Sequence, residues 1–275
     1  MAAAKAISEK NGFVYLLFFD KGYLDITKSW VCNVRSMAGV LDSTLLVATD
    51  SESAESMRSI LKDRTLHVFE QTYQVTGKVA YGTYAYFRLT VERLRLQHEM
   101  IQAGVNVMII ESDAVWVNGA EATSQIVREE LKENDMVAYN DCAPNARCIA
   151  AGFLAIKSTP ATRAFFSAYY TSYAAYMDKF KGKTQIGDHG EQLQMTTRLS
   201  KDKSIKVQWL DTAKFCSGKW YIGAPHKWHV PAMHKRASCL VIQNNWIIGN
   251  PAKIKRAKEF GHWYLGEEEP RVCKA

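Results

Sequence analysis

The sequence lacks a long hydrophobic run: the longest near its start, residues 13–19 (FVYLLFF), has seven residues. A membrane-spanning helix needs roughly 20 apolar residues, and a signal-peptide core about 7–15 behind a basic stretch. With Glu9 and Lys10 before it and Asp20 and Lys21 after it, this run reads as a buried strand, so no membrane span is expected. Cysteine is sparse as well. The six (Cys32, Cys142, Cys148, Cys216, Cys239 and Cys273) include no CxxC pair, which disfavours a zinc knuckle or a thioredoxin-type motif. They are too few for a disulfide scaffold, so free thiols or one or two bridges are expected and the redox compartment stays open. Neither GxGxxG nor GxxxxGK[ST] occurs, which disfavours dinucleotide oxidoreductases and P-loop enzymes. No internal repeat, low-complexity tract or linker divides the chain.

What remains is an ordinary globular composition, 47% hydrophobic and 23% charged over 275 residues, enough for a substantial core. The net charge of +7 is unevenly spread: residues 201–275 hold 14 Lys/Arg against 6 Asp/Glu, and residues 1–200 hold 21 against 22. A basic block of this kind is either a solvated surface or a face for nucleic acid, an anionic surface or a phosphorylated ligand. Strand-length apolar runs alternate with helical patterns, which predicts an α/β sheet flanked by helices. Strands are expected at residues 13–19, 43–48, 66–69, 105–110, 152–156 and 239–243. Helices are expected at 51–60, with Ser51 or Ser53 as N-cap, and at 85–103, 125–132 and 160–180, with Gly104 closing the second.

In open α/β sheets ligands bind beyond the carboxyl ends of strands. The most hydrophobic strand ends in Glu111-Ser112-Asp113, and in extended chain residues i and i+2 point the same way. Two carboxylates converging there call for a cation, and a hard divalent ion that bridges substrate phosphates suits them. Taken alone, the same pair reads as solvated acids in a strand-end turn.

The order of motifs adds context. Tyr81-Gly82-Thr83 precedes a helix carrying Arg88, Arg93 and Arg95, then comes the strand, then Glu-Ser-Asp-Ala-Val-Trp. This series resembles the nucleotide-diphospho-sugar transferase family. These are GT-A-fold retaining glycosyltransferases that include plant pectin xylosyltransferases and extensin arabinosyltransferases. Asp113 and Trp116 fall on the family's Asp-x-Asp-x-Val-Trp signature, with Glu111 where Asp is usual. Gly22-Tyr23-Leu24-Asp25, Trp30-Val31-Cys32, Gly152-Phe153, Glu191-Gln192, Gln243-Asn244-Asn245-Trp246…Gly249…Lys253 and Trp263 extend the likeness over about residues 13–265. Gln243 stands where the family often has a metal-binding His, and an amide oxygen still binds a hard cation. The Glu for Asp exchange at position 111 lengthens that arm by about 1.5 Å.

The resemblance implies a single glycosyltransferase domain over 1–275, with a nucleotide-sugar half (about 13–120) and an acceptor and closing half (about 121–265). It implies a retaining transferase that moves a sugar from a UDP-sugar to a hydroxyl on a glycan or glycosylated protein, leaving an α-linkage. Glu111, Asp113 and Gln243 would hold Mn²⁺ or Mg²⁺, and Arg93, Ser112, Asp113, Gln243, Asn245, Gly249 and Lys253 would bind the donor. Glu191 and Asp188 would stabilise charge at the anomeric carbon. Arg93 otherwise pairs with Glu92 or Glu99, and Lys253 otherwise belongs to a solvated basic helix face. Trp220, Trp228, Trp246 and Trp263 are core residues by default and stacking faces for a sugar or base in the sharper reading. His226, His229 and His234 lack zinc-site spacing. No nucleic-acid motif is present. Family members usually work in the Golgi lumen behind an anchor, so a trimmed luminal domain or a cytoplasmic version is expected. The alternative from another class is a non-catalytic nucleotide- or glycan-binding protein with a weakened metal site, favoured by positions 111 and 243.

Overall fold

A computed structural model describes residues 1–60, 67–70, 79–117, 119–142, 146–187, 190–221, 239–268 and 271–274. The fold is mixed α/β, as the alternating pattern predicts. Its chain forms two compact units, one from residues 1–15, 73–109 and 127–209, the other from 16–72, 110–126 and 210–275. Among the described residues no helix is long and apolar enough to cross a membrane.

In the first unit, α1 (Ala2–Asn11) stops at Gly12, whose positive φ suits a residue without Cβ. Helix α4 (Tyr84–Gln102) starts where the Thr83 hydroxyl accepts from the Tyr86 amide, and ends before Gly104, which takes the left-handed conformation expected of it. Its inward face repeats at three- and four-residue steps through Phe87, Val91, Leu94, Gln97 and Ile101. Helix α6 (Pro160–Asp178) lies against it, and the Thr90 and Tyr173 hydroxyls share a buried 2.9 Å hydrogen bond between the two. Strands β4 (Val107–Ile110), β6 (Met136–Asn140), β7 (Ile149–Ile156) and β8 (Val207–Trp209) pair in the order β4-β7-β6-β8. Strands β4 and β7 are buried throughout, which explains their continuous apolar composition. Helices α5 (Ala120–Glu133) and α7 (Glu191–Lys201) complete the set. The boundaries of the units fall within β1 (Val14–Phe19), β4 and α5.

The second unit holds β2 (Thr44–Ala48) and β3 (His67–Glu70), which pair in parallel in the order β3-β2-β1. Helix α3 (Ser51–Ile60) is capped by Asp50 rather than by Ser51 or Ser53: the Ser53 amide and hydroxyl both donate to its carboxylate at 2.8 Å. A small second sheet runs β5-β10-β9, from β5 (Ala114–Trp116), β9 (Phe215–Cys216) and β10 (Val241–Gln243). Its position is fixed by Asn33 of α2 (Leu24–Val34), whose side chain donates to the Trp116 carbonyl at 3.0 Å and accepts from the Trp116 amide at 2.9 Å. Ile26 and Cys32 of α2 pack with Ala257 of α8 (Asn250–Glu259) and with Trp263 and Leu265.

Three disulfides form where one or two bridges were expected: Cys32–Cys273, Cys142–Cys148 and Cys216–Cys239. No cysteine is left free. Pairing partners as far apart as residues 32 and 273 meet only through the fold, so spacing carried no sign of them.

Candidate functional site

Strand β4 ends at Ile110, and the chain then turns instead of running on extended: the Ala114 amide donates to the Glu111 carbonyl at 3.1 Å. The alternation argument for Glu111 and Asp113 therefore does not hold as geometry. The turn nonetheless gathers both charges, because Tyr23 and Lys253 each feel the two carboxylates. After the turn, β5 pairs antiparallel with β10 in a register that sets Gln243 opposite Ala114, one residue from Asp113. The acidic turn and the closing block are thus neighbours through one short ladder.

Helix α8 supplies the positive partner. It begins after Gly249, which has φ 93°, and carries Pro251 in its first turn, where a missing amide proton is harmless. Lys253, one turn in, pairs its ammonium with the Asp113 carboxylate; the two side chains are 14% and 3% exposed. The same nitrogen donates to the Tyr23 hydroxyl at 3.1 Å. Lys253 is therefore not part of a solvated helix face, although Lys255, at 79% side-chain exposure, is. Burial works against the charge on Lys253, but the fields of Asp113, then Tyr23 and Glu111, hold its ammonium above the ordinary lysine value. Burial first, then the negative charge of Asp113, pushes the Tyr23 hydroxyl up to about 12. It stays a neutral hydrogen-bonding group at any physiological pH.

Around this pair the closing block is tightly braced. Asn244 donates to the Lys253 carbonyl at 3.0 Å, and its oxygen accepts from the buried Arg256 guanidinium at 2.7 Å. Arg256 also donates to the Asn245 carbonyl at 2.6 Å, while the Asn245 side-chain oxygen accepts from the Gly218 amide at 2.5 Å. Ser112, Asp113, Asn244 and Lys253 line a cavity of about 20 Å³ that also touches Trp30 and His262. The Ser112 hydroxyl is buried with no hydrogen-bond partner among the described residues. Tyr23, Asn244 and Arg256 were not singled out from sequence as site residues. The signal for Arg256 was available: it lies three residues after Lys253, on the helix face that Ala257 also buries.

Among the described residues no three His, Cys, Asp or Glu side chains converge as a metal cluster. The candidate donors are the carboxylates of Glu111 and Asp113 and the amide of Gln243, all oxygen, of which Asp113 and Gln243 are buried. That set suits a hard divalent cation sharing its sphere with phosphates.

The remaining candidates belong to the first unit. Arg93 pairs with neither Glu92 nor Glu99, which bind Arg95. Its guanidinium meets the buried carboxylate of Glu191, the first residue of α7. The Glu191 carbonyl accepts from the Tyr169 hydroxyl at 2.6 Å. Asp188 lies outside the described residues, as do His226, Trp228, His229 and His234. Trp263 is core, Trp220 is partly buried against Tyr221 and Phe260, and Trp246 is 53% exposed.

Residues 39–257 match the nucleotide-diphospho-sugar transferase family. The beta-arabinofuranosyltransferase RAY1 of Arabidopsis thaliana is 26% identical over 97% of this chain and 50% of its own length. UDP-D-xylose:L-fucose alpha-1,3-D-xylosyltransferase 3 of the same plant is 23% identical over 68% of this chain and 50% of its own length. The chain spans about half the length of these curated relatives. Among solved structures, the galactosyltransferase LgtC in complex with donor and acceptor sugar analogs aligns with a TM-score of 0.53 at 12% identity, covering 94% of this chain and 98% of that one. Mouse xyloside xylosyltransferase 1 aligns with a TM-score of 0.52 at 12% identity, over 87% of this chain and 99% of that one. These likenesses show the GT-A glycosyltransferase fold.

Proposed function

This chain belongs to the nucleotide-diphospho-sugar transferase family, and from that premise we propose that it is a metal-assisted retaining glycosyltransferase. It takes a UDP-sugar as donor, a hydroxyl of a glycan or glycosylated protein as acceptor, and leaves an α-linkage. The observation that carries the reading is the Asp113–Lys253 pair at the end of β4. A buried ammonium held charged beside a carboxylate is poised to meet a diphosphate, whose negative charge grows as the sugar leaves. Ser112, whose hydroxyl has no hydrogen-bond partner among the described residues, Asn245 and Gly249 complete the donor face. Glu111, Asp113 and Gln243 would hold Mn²⁺ or Mg²⁺, which when bound supplies further neutralisation of the leaving diphosphate. Glu191 and Asp188 are assigned to stabilising positive charge at the anomeric carbon, and Arg93, which pairs with Glu191, to the donor.

Calorimetric titration of UDP, with and without Mn²⁺, tests the donor site. Mn²⁺ is expected to tighten UDP binding at least tenfold, and Asp113→Ala to remove that gain. Failure of UDP to bind under either condition overturns the UDP assignment. One observation favours a second reading: Lys253 already neutralises Asp113, a carboxylate the metal would need. Metal-independent UDP binding with no hydrolysis of any UDP-sugar would establish that reading, a non-catalytic binding protein.

A further inference from the structure

Trp246 is the only non-glycine among the described residues with a left-handed backbone, at φ 59°. A bulky residue in that region is strained, and such strain persists only where the surroundings impose it. The surroundings do so here. The Asn245 carbonyl packs so closely on Gly218 that a Cβ there would lie 1.9 Å from the oxygen. Arg256 and the Gly218 amide hold Asn245 from two sides. The strain is not repaid by burial, since Trp246 is 53% exposed and Ile248 beside it is 77% exposed. The Lys219 ammonium sits 4.3 Å from the centre of the indole ring and so fixes the orientation of an exposed side chain.

We propose that Trp246 is a carbohydrate-stacking platform, the subsite that receives a sugar ring of the acceptor; the assignment to an acceptor rests on the transferase reading above. Three features favour a sugar over other occupants. The indole offers a flat, electron-rich face to the C–H bonds of a sugar ring. The Lys219 ammonium covers one face of the ring, which leaves the opposite face of this 53% exposed side chain for the sugar. The platform also lies on the turn between Gln243 and Lys253, continuous with the residues assigned to the donor.

Saturation-transfer NMR of the intact chain with methyl glycosides of xylose, arabinose, galactose and fucose tests the platform directly. At least one glycoside is expected to saturate through its ring protons. The signal should vanish in Trp246→Ala and in Trp246→Gly, a variant that accepts the left-handed backbone and so keeps the turn folded. Trp246→Phe should restore it. For an acceptor identified by turnover, Trp246→Ala is expected to raise its KM about tenfold, with UDP affinity and donor hydrolysis within about twofold of the parent. Unchanged glycoside signals in both variants, no signal from any glycoside, or a loss of UDP affinity in place of acceptor affinity would each overturn the platform. If glycosides saturate through Trp246 while UDP fails to bind, the platform stands and the transferase reading falls.

Discussion

A carboxylate as buried as that of Glu191 keeps its charge only beside a cation, and Arg93 is that cation. Nothing in the spacing of residues 93 and 191 announces the pair; on sequence the arginine had nearer acids to choose from. The chain spends Glu92 and Glu99 on Arg95 instead, which leaves Arg93 to point inward. Removing one partner strands the other. Arg93→Met is expected to destabilise the fold by about 3–5 kcal/mol in urea unfolding, because an uncompensated buried charge remains. Adding Glu191→Gln to that variant should recover a large part of the loss. If the double variant is as unstable as the single, Arg93 acts through packing and not through charge. The Asp113–Lys253 pair shows the same limit on sequence reading: both residues were legible as candidates, but a contact 140 positions apart was not.

At the scale of elements, helix α6 shows how local chemistry sets a boundary. The Thr159 hydroxyl accepts from the Thr162 amide at 3.2 Å, the Thr162 hydroxyl accepts from the Thr159 amide at 2.9 Å, and Pro160 opens the helix. Thr159 also donates to Asp135 at 2.8 Å, which ties the helix start to the residue before β6. Thr159→Ala should therefore cost about 1 kcal/mol, and Thr159→Ser much less, by differential unfolding; equal losses would deny the cap its role. Elements of this kind were legible in advance. Long periodic helices such as α4 and α6, and buried runs such as β4, declare themselves by composition. Strand β5 did not, because three residues cannot show a period, and it owes its place to Asn33 and β10. Likewise the acid pair stands out in the sequence, yet the turn that gathers it depends on a backbone bond from Ala114 that alternation cannot foresee.

At the scale of the molecule, the cysteines carry information that the sequence concealed, since six allow roughly 15 complete pairings and spacing does not choose among them. The bridges are distributed: Cys142–Cys148 closes a loop in the first unit, and the other two lie in the second. Cys32–Cys273 joins residues 241 apart and ties α2 to the C-terminal segment that Trp263 and Leu265 pack beneath. Cys216–Cys239 brings the end of β9 to the start of the segment that forms β10. In the chain-entropy view the three contribute on the order of 5, 3 and 2 kcal/mol from the longest loop to the shortest, with the two shorter loops nested in the longest and so not additive. Bridges of this sort persist in oxidising compartments and are rare in a reducing cytosol. Protein made in an oxidising lumen is therefore expected to show no free thiol on denaturation, and protein made in a reducing cytosol to be less soluble and less stable. Paired Cys32→Ser and Cys273→Ser substitutions should lower the melting temperature by about 10–20 °C, at 2–4 °C per kcal/mol for a chain of this size. The smaller Cys142–Cys148 loop should matter least when removed in the same way. Titration of thiols in the denatured parent protein checks the premise: six reactive thiols, with a melting temperature unmoved by reductant, would show that the chain folds without its bridges.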